Sequence, residues 1–418
     1  MAHQRINPSD SIEVPYGWVI IAVSLTIHTI GLAAPAILFV ALKPIAAEFE
    51  WPRAIPSFAY SLLMVGAGVG GVVMGWWMDR KGVMAPVLFG SVMIVCGALL
   101  ASRADGQLSL YVANGLLIGL LGKAAMIAPM MANATKWFDR RRGLAIAILA
   151  SGQGLSGLLW LPLIGYLNDT VGWRETYLYF AIFGLVTMVP LSFLLRPRPP
   201  SGPEAAPAPA TAAAEVPLRE RFNPGSMQLV MWIAVIGCCA GMSIPIVHLI
   251  SYATDLGHPA ARGAEMLTVL FTAAFFSRIA FGALADRIGP TRTLIIGSFC
   301  QASVLLLFAA VESQAALYVT ALLFGLGFSG IMPCYPLMIR QLFPVTQAGW
   351  RIAAQYMFAA GGMALGGWLG GWIFDAAGSY VYAFLAGAGF TGLNLIMVVF
   401  LHGRHVRQTA LNTAAMAQ

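Results

Sequence analysis

Phe275 to Arg292 reads FFSRIAFGALADRIGPTR. One arginine, Arg278, interrupts an apolar run, and the run ends in a charged turn punctuated by glycine, Gly282-Ala-Leu-Ala-Asp286-Arg287-Ile-Gly289-Pro290. The same ending stands earlier as Gly75-Trp-Trp-Met-Asp79-Arg80-Lys81-Gly82. From Asp79 to Asp286 is 207 positions, about half of the 418-residue chain, so the sequence reads as two copies of one unit.

The chain is 59% hydrophobic and 10% charged, with a mean hydropathy of +0.78. A water-soluble chain of this length has no way to hide so much apolar surface, so most of its solvent is lipid. The net charge of +7 comes from basic residues in short turns between apolar runs, which fits membrane topology and not nucleic-acid binding. Cys96, Cys238, Cys239, Cys300 and Cys334 all fall in apolar runs without metal-ligand spacing and read as packing residues. No metal site and no cofactor is expected.

Twelve apolar segments follow a short polar tail, Met1 to Pro15, at residues 17–42, 55–78, 84–102, 108–135, 142–167, 174–195, 227–252, 264–285, 292–311, 316–339, 350–373 and 379–402. Each is close to the ~20 residues a helix needs to cross ~30 Å of hydrocarbon. Barrel strands alternate apolar and polar residues and these runs do not, so only helices satisfy the backbone in lipid. The expected fold is an all-α membrane protein of twelve transmembrane helices in two pseudo-symmetric six-helix halves. The halves are 1–195 and 227–418, joined by a Pro/Ala-rich linker at 196–226.

Seventeen Lys and Arg lie in the tails and turns on the side of the N-terminus. Five lie on the other side: Lys43, Arg53, Arg103, Arg174 and Arg262. That bias places both termini in the cytoplasm. The remaining two, Lys123 and Arg278, lie within spans.

Two six-helix halves, a central linker and a paired G-x-x-x-D-R-x-G turn together resemble the major facilitator superfamily over nearly the whole chain. Three further stretches resemble its monocarboxylate transporter and oxalate/formate exchanger group: Tyr16-Gly17-Trp18, the turn Lys136-Trp137-Phe138-Asp139-Arg140-Arg141-Arg142-Gly143-Leu144-Ala145, and Arg278 followed by Gly282. The resemblance implies the facilitator fold and a role for Arg278 in binding a substrate carboxylate. The chain departs from that group at Pro15, where an acidic residue often stands. Mammalian members carry a lysine in span one, where this chain has Ala36, and an aspartate before the arginine, where it has Ala274. Between Tyr356 and Gly370 it lacks the second cation of the oxalate exchangers.

Arg278 lies eight residues before Asp286, ~12 Å inside the helix end at 1.5 Å per residue, near the bilayer midplane. An arginine there costs at least ~2.5 kcal/mol and needs a water-filled cavity or a partner. No acid lies in the interior of any span, so an anionic ligand is the expected partner, held by the planar guanidinium fork. His248 follows Pro245, which should loosen span seven, and reads as a substrate or proton ligand. Lys123 sits ~20 Å from the inner end of span four, where it either snorkels outward or adds a second positive charge to the pathway. His28, Tyr60, Gln153 and Tyr335 complete the candidate binding residues.

The turns at Gly75, Asp79, Arg80 and Gly82, and at Gly282, Asp286, Arg287 and Gly289, would latch and release the inner side. The glycine-rich runs at 66–71 and 361–371 would let helices pack closely and slide. No catalytic constellation and no soluble domain occurs, which weighs against an enzyme or a sensor. The expected function is secondary transport of a small organic monocarboxylate across the inner membrane, coupled to H+ or to anion exchange, by a monomer embedded in the lipid bilayer. A dicarboxylate or aromatic-acid exchanger using Lys123 is the alternative.

Overall fold

Long apolar runs in lipid must satisfy every backbone polar group within the segment, and all of them fold as helices here. The computed structural model describes residues 13–126, 128–134, 136–138, 141–197, 199, 224–343 and 345–416; most of the 196–226 linker lies outside them. The first six candidate membrane spans are Pro15–Val40, Ala54–Met78, Met84–Ser102, Gln107–Ala134, Ile148–Val171 and Trp173–Phe193. The second six are Gly225–Asp255, Ala260–Ile288, Pro290–Ala310, Gln314–Ile339, Trp350–Ala377 and Val381–Gly403. With twelve crossings the start of the first span and the end of the twelfth lie at one face, here the terminal face, and the other is the far face.

The repeat inferred from the Asp-Arg turns is written in the backbone. The described residues with positive φ are Glu50, Gly82, Gly172, Gly257, Gly289 and Gly378. They pair across the halves: Glu50 with Gly257 (257 minus 50 is 207), Gly82 with Gly289 (207 again) and Gly172 with Gly378 (206). Gly82 and Gly289 close the paired turns with φ of 80° and 87°, where a side chain would be strained. Their N–H groups bond the Met78 and Ala285 carbonyls at 2.8 and 3.0 Å, four residues back in both cases.

Packing repeats as well. Span two lies on span four as span eight lies on span ten, and span three lies on span six as span nine lies on span twelve. The halves then meet through exchanged pairs, span two on span eleven and span five on span eight. Glycines set these distances. Gly66 and Gly70 face span four, Gly362 and Gly366 face span seven, and Gly68, Gly367 and Gly371 face the opposite half.

Four spans are interrupted where the sequence led us to expect continuous helices. Span one divides into Pro15–Gly31, Ala33–Val40 and Leu42–Glu48, because Pro35 has no N–H and its ring crowds the Gly31 carbonyl. Span ten breaks between Phe328 and Ile331, four residues before Pro333. Span four runs as a wide π-turn over Val112–Gly122 and tightens to a 3-10 turn at Lys123–Ala125. Span five is interrupted at Ser151. Pro245 does not interrupt span seven, which is continuous from Pro224 to Asp255.

Buried polar side chains stitch each half internally. Tyr177 of span six donates to Asn114 of span four at 3.4 Å. Tyr335 of span ten donates to Asn394 of span twelve at 3.1 Å, and Asn394 donates on to Ser298 at 3.0 Å. Cys96, Cys238, Cys239, Cys300 and Cys334 are free thiols.

Candidate functional site

A cavity of about 70 Å³ lies between the halves. The interrupted stretch of span one supplies Leu32, Pro35, Ala36 and Phe39 to its wall, and the opposite half adds Ile246, Phe271 and Met363. Its polar members are Tyr60, Lys123, Gln153 and Ser156. Lys123 opens the 3-10 turn that interrupts span four. Its ammonium reaches the Met64 thioether sulfur at 3.6 Å, a weak acceptor, and no carboxylate pairs with it among the described residues.

Arg278 stands at the edge of this cavity and reaches it through another residue. It donates from Nη1 to the Ala150 carbonyl (2.9 Å) and from Nη2 to Gln153 Oε1 (3.2 Å), both in span five of the other half. The interruption at Ser151 leaves the Ala150 carbonyl at a helix end, where a cation is favoured. Arg278 Nε is buried without a partner.

The expected site residues separate into groups. Lys123, Gln153 and Tyr60 line the cavity together, and Arg278 touches it through Gln153. His248 lies outside the lining: its Nε2 meets the Gly367 carbonyl at 2.8 Å and its ring rests 5.1 Å from that of Tyr380. A carbonyl only accepts, so Nε2 carries the hydrogen, and the buried Nδ1 is left unpartnered. His28 packs against Gly152 of span five, also with Nδ1 unpartnered. Tyr335 belongs to the polar network inside the second half.

Of the turn residues, Asp286 and Arg287 are exposed without an ion pair among the described residues, and Arg80 covers Trp76 at 3.9 Å. The Asp79 side chain lies outside the described ones. A Cβ added at Gly75 or Gly282 would meet nothing within 4 Å. Two stretches matched to one family signature touch: Trp18 packs edge-on to Phe138 at 4.8 Å, and a Cβ on Gly17 would come 3.1 Å from that ring.

The far face carries a cross-half latch that the sequence reading missed. Asp255, at the end of span seven, accepts from Lys43 Nζ at 2.8 Å and from both terminal nitrogens of Arg53, the second also at 2.8 Å. Asp375, at the end of span eleven, accepts the backbone N–H groups of Arg53 and Ala54 at 2.8 and 2.7 Å, capping span two. The Arg53 guanidinium lies 3.6 Å over the Phe374 ring and 5.4 Å from that of Tyr380. Burial pushes the Tyr380 phenol up to about 12, against the opposing charge of Arg53, so it stays neutral at physiological pH. The repeat was the signal for this latch, since Asp255 stands 207 positions after Glu48.

Among the described residues no group of His, Cys, Asp and Glu is placed to hold a metal ion. The profile of the Major Facilitator Superfamily matches residues 21–267 and 231–417. The chain is similar to monocarboxylate transporter 11 of Mus musculus, 30% identical over 67% of this chain and 62% of the relative. It is 26% identical to monocarboxylate transporter 13 of Bos taurus, over 92% and 88% of the two chains. It is 27% identical to the MFS-type transporter pynF of Aspergillus niger, over 66% of this chain. The matched region spans 62% of the pynF and mouse chains. A POT family transporter solved with 5-aminolevulinic acid superposes with a TM-score of 0.72 at 13% identity, covering 92% of this chain and 96% of that one, a likeness of fold alone.

Proposed function

We propose that this chain, which belongs to the major facilitator superfamily and falls in its monocarboxylate transporter-like group, carries a small organic monocarboxylate by alternating access. The observation that supports this reading is the Lys123 ammonium, without a carboxylate partner among the described residues, on the wall of a cavity shared by the two halves. A cation at membrane depth requires compensation, and a bound anion supplies it.

The lining suits such a ligand: one cation, Lys123, and three neutral polar side chains, Tyr60, Gln153 and Ser156, share the cavity wall with apolar groups. Leu32, Phe39, Met64, Leu161, Ile246, Phe271 and Met363 suit an aliphatic body. Dicarboxylate exchange, the alternative use of Lys123, would call for a second cation, and Lys123 is the one Lys or Arg among the described residues lining this cavity.

In the carrier cycle the far face is the outer one, because the terminal face holds most of the Lys and Arg. The protein then sits in the inner membrane with both termini cytoplasmic. Each chain supplies both halves, so a monomer suffices. Binding the anion lowers the cost of enclosing Lys123, so filled carriers reorient faster than empty ones. Either a proton or a counter-anion completes the return.

The test is uptake of radiolabelled lactate and related short carboxylates into proteoliposomes, with an inward proton gradient or an internal counter-anion, for wild type and Lys123→Met. Saturable uptake by the wild type that Lys123→Met abolishes is the expected result. Absence of uptake of every short carboxylate overturns the reading.

A further inference from the structure

We propose that Lys43 and Arg53 form an outer receiving site for the carboxylate, which takes the place of Asp255 on these two cations when the far face opens. The inference rests on the carrier reading above and adds a second anion site to it. Asp255 shows what such a site holds. Lys43 Nζ and Arg53 Nη2 donate to one of its carboxylate oxygens, both at 2.8 Å, and Arg53 Nη1 donates to the other. A guanidinium fork and an ammonium around one carboxylate suit a free organic acid equally well.

The exchange is possible because of where each group belongs. Lys43 and Arg53 lie in the first half, whereas the described partners of their side chains all lie in the second. Thr254 and Asp255 accept their hydrogen bonds, and the Phe374 and Tyr380 rings rest against the guanidinium. When the halves part at this face, both cations lose these partners together. Glu48, in the same half, is already held by Trp173 and Arg174. An anion from the outer solution then compensates the two charges. While it stays, Asp255 cannot return, so the face closes only after the acid has moved inward.

The two cations also lead to the cavity. Lys43 stands seven residues after Ala36 and Arg53 seven before Tyr60, and both Ala36 and Tyr60 line the cavity. Seven residues are two helical turns, about 10 Å along the axis.

Asp255→Asn frees the cations, and Lys43 then reports on the site directly. The full chain in nanodiscs is treated with a water-soluble amine-acylating reagent, with and without L-lactate or acetate. Modification of Lys43 is followed by mass spectrometry, beside the melting of each variant. Lys81, exposed on the terminal face, is the internal reference.

In Asp255→Asn, L-lactate is expected to slow modification of Lys43 by one plus the ratio of its concentration to Kd, about threefold at twice Kd. Lys81 should react at an unchanged rate. The protection should survive Lys123→Met, which impairs the central cavity, and disappear with Arg53→Gln. Arg53→Lys, which keeps the charge and loses the fork, serves if Arg53→Gln does not fold, and should weaken the protection.

Absence of protection at Lys43 overturns the inference. So does protection that Lys123→Met removes, which would be a change of shape driven from the central cavity. Equal protection by chloride at the same concentration also overturns it, since that would be screening alone. Uptake judges the carrier reading separately: acids that protect Lys43 but are not taken up overturn that reading and leave the outer site in place.

Discussion

Asp255 and Glu48 occupy the same place in the two halves and hold opposite partners. Each stands two residues before the positive-φ residue that ends the first span of its half, Gly257 and Glu50. Glu48 stays within its half, accepting from Trp173 Nε1 at 2.6 Å and from Arg174 at 2.7 Å. Asp255 reaches across to Lys43 and Arg53. The carboxylate that is structural in the first half is a bolt between halves in the second.

Asp255→Asn should therefore open the far face without unfolding either half. Three hydrogen bonds from two cations lose their charged acceptor; the groups are partly exposed and the amide still accepts, so a net loss of about 1.4 kcal/mol, or about tenfold in the closed population, is expected. The measurement is thiol labelling of a cysteine placed at cavity position Ala36, from the far side. Glu48→Gln should leave that labelling unchanged.

Two glycines of span eleven should behave differently when enlarged. A Cβ on Gly366 would run into the Ala240 carbonyl of span seven, within its own half. On Gly371 it would come 2.5 Å from Ser57 Oγ and 2.9 Å from the Arg53 carbonyl of the other half. Overpacking costs about 1–3 kcal/mol. Gly366→Val should lower the melting temperature, whereas Gly371→Val should melt like wild type and label from the far side.

Removing the Tyr335 hydroxyl should cost stability and not affinity. Tyr335→Phe leaves the buried Asn394 Oδ1 short of a donor, a loss of about 1 kcal/mol. Equilibrium binding of the transported acid should be unchanged, which melting and binding measured on one preparation will show.

His248→Phe keeps a ring against Tyr380 and removes the donor to the Gly367 carbonyl. Gly367 in turn abuts the Tyr60 ring, with a Cβ there only 2.5 Å from Cδ1. The expected effect is on reorientation: slower or faster exchange with unchanged binding affinity. A large loss of affinity would instead return His248 to the ligand set.

Much of this was legible before any coordinates. The Asp79 and Asp286 turns announced the repeat, and the Gly82 and Gly289 backbones repeat to within 7° in φ, at 80° and 87°. The glycine-rich runs do pack helices closely. Arg278 stood out as a cation at depth, but its engagement with Ala150 and Gln153, 128 and 125 positions away, was invisible because it depends on how spans five and eight dock. The residue pattern leaves Lys123 between snorkelling and the pathway; the interruption of span four that carries it to the cavity ends at Ala125, four residues before Pro129, a signal that its apolar surroundings obscure.

The sequence by itself determined the class: twelve spans, helices and no barrel, one unit used twice. Those features follow from local terms, the transfer of apolar runs to lipid and the need to satisfy the backbone within each run. Which polar side chains share a cavity was decided only in the tertiary structure. It turns on the rotation of each helix about its axis and on docking between halves. Those are sums of many weak contacts between residues far apart in the chain, and no single stretch of sequence encodes them.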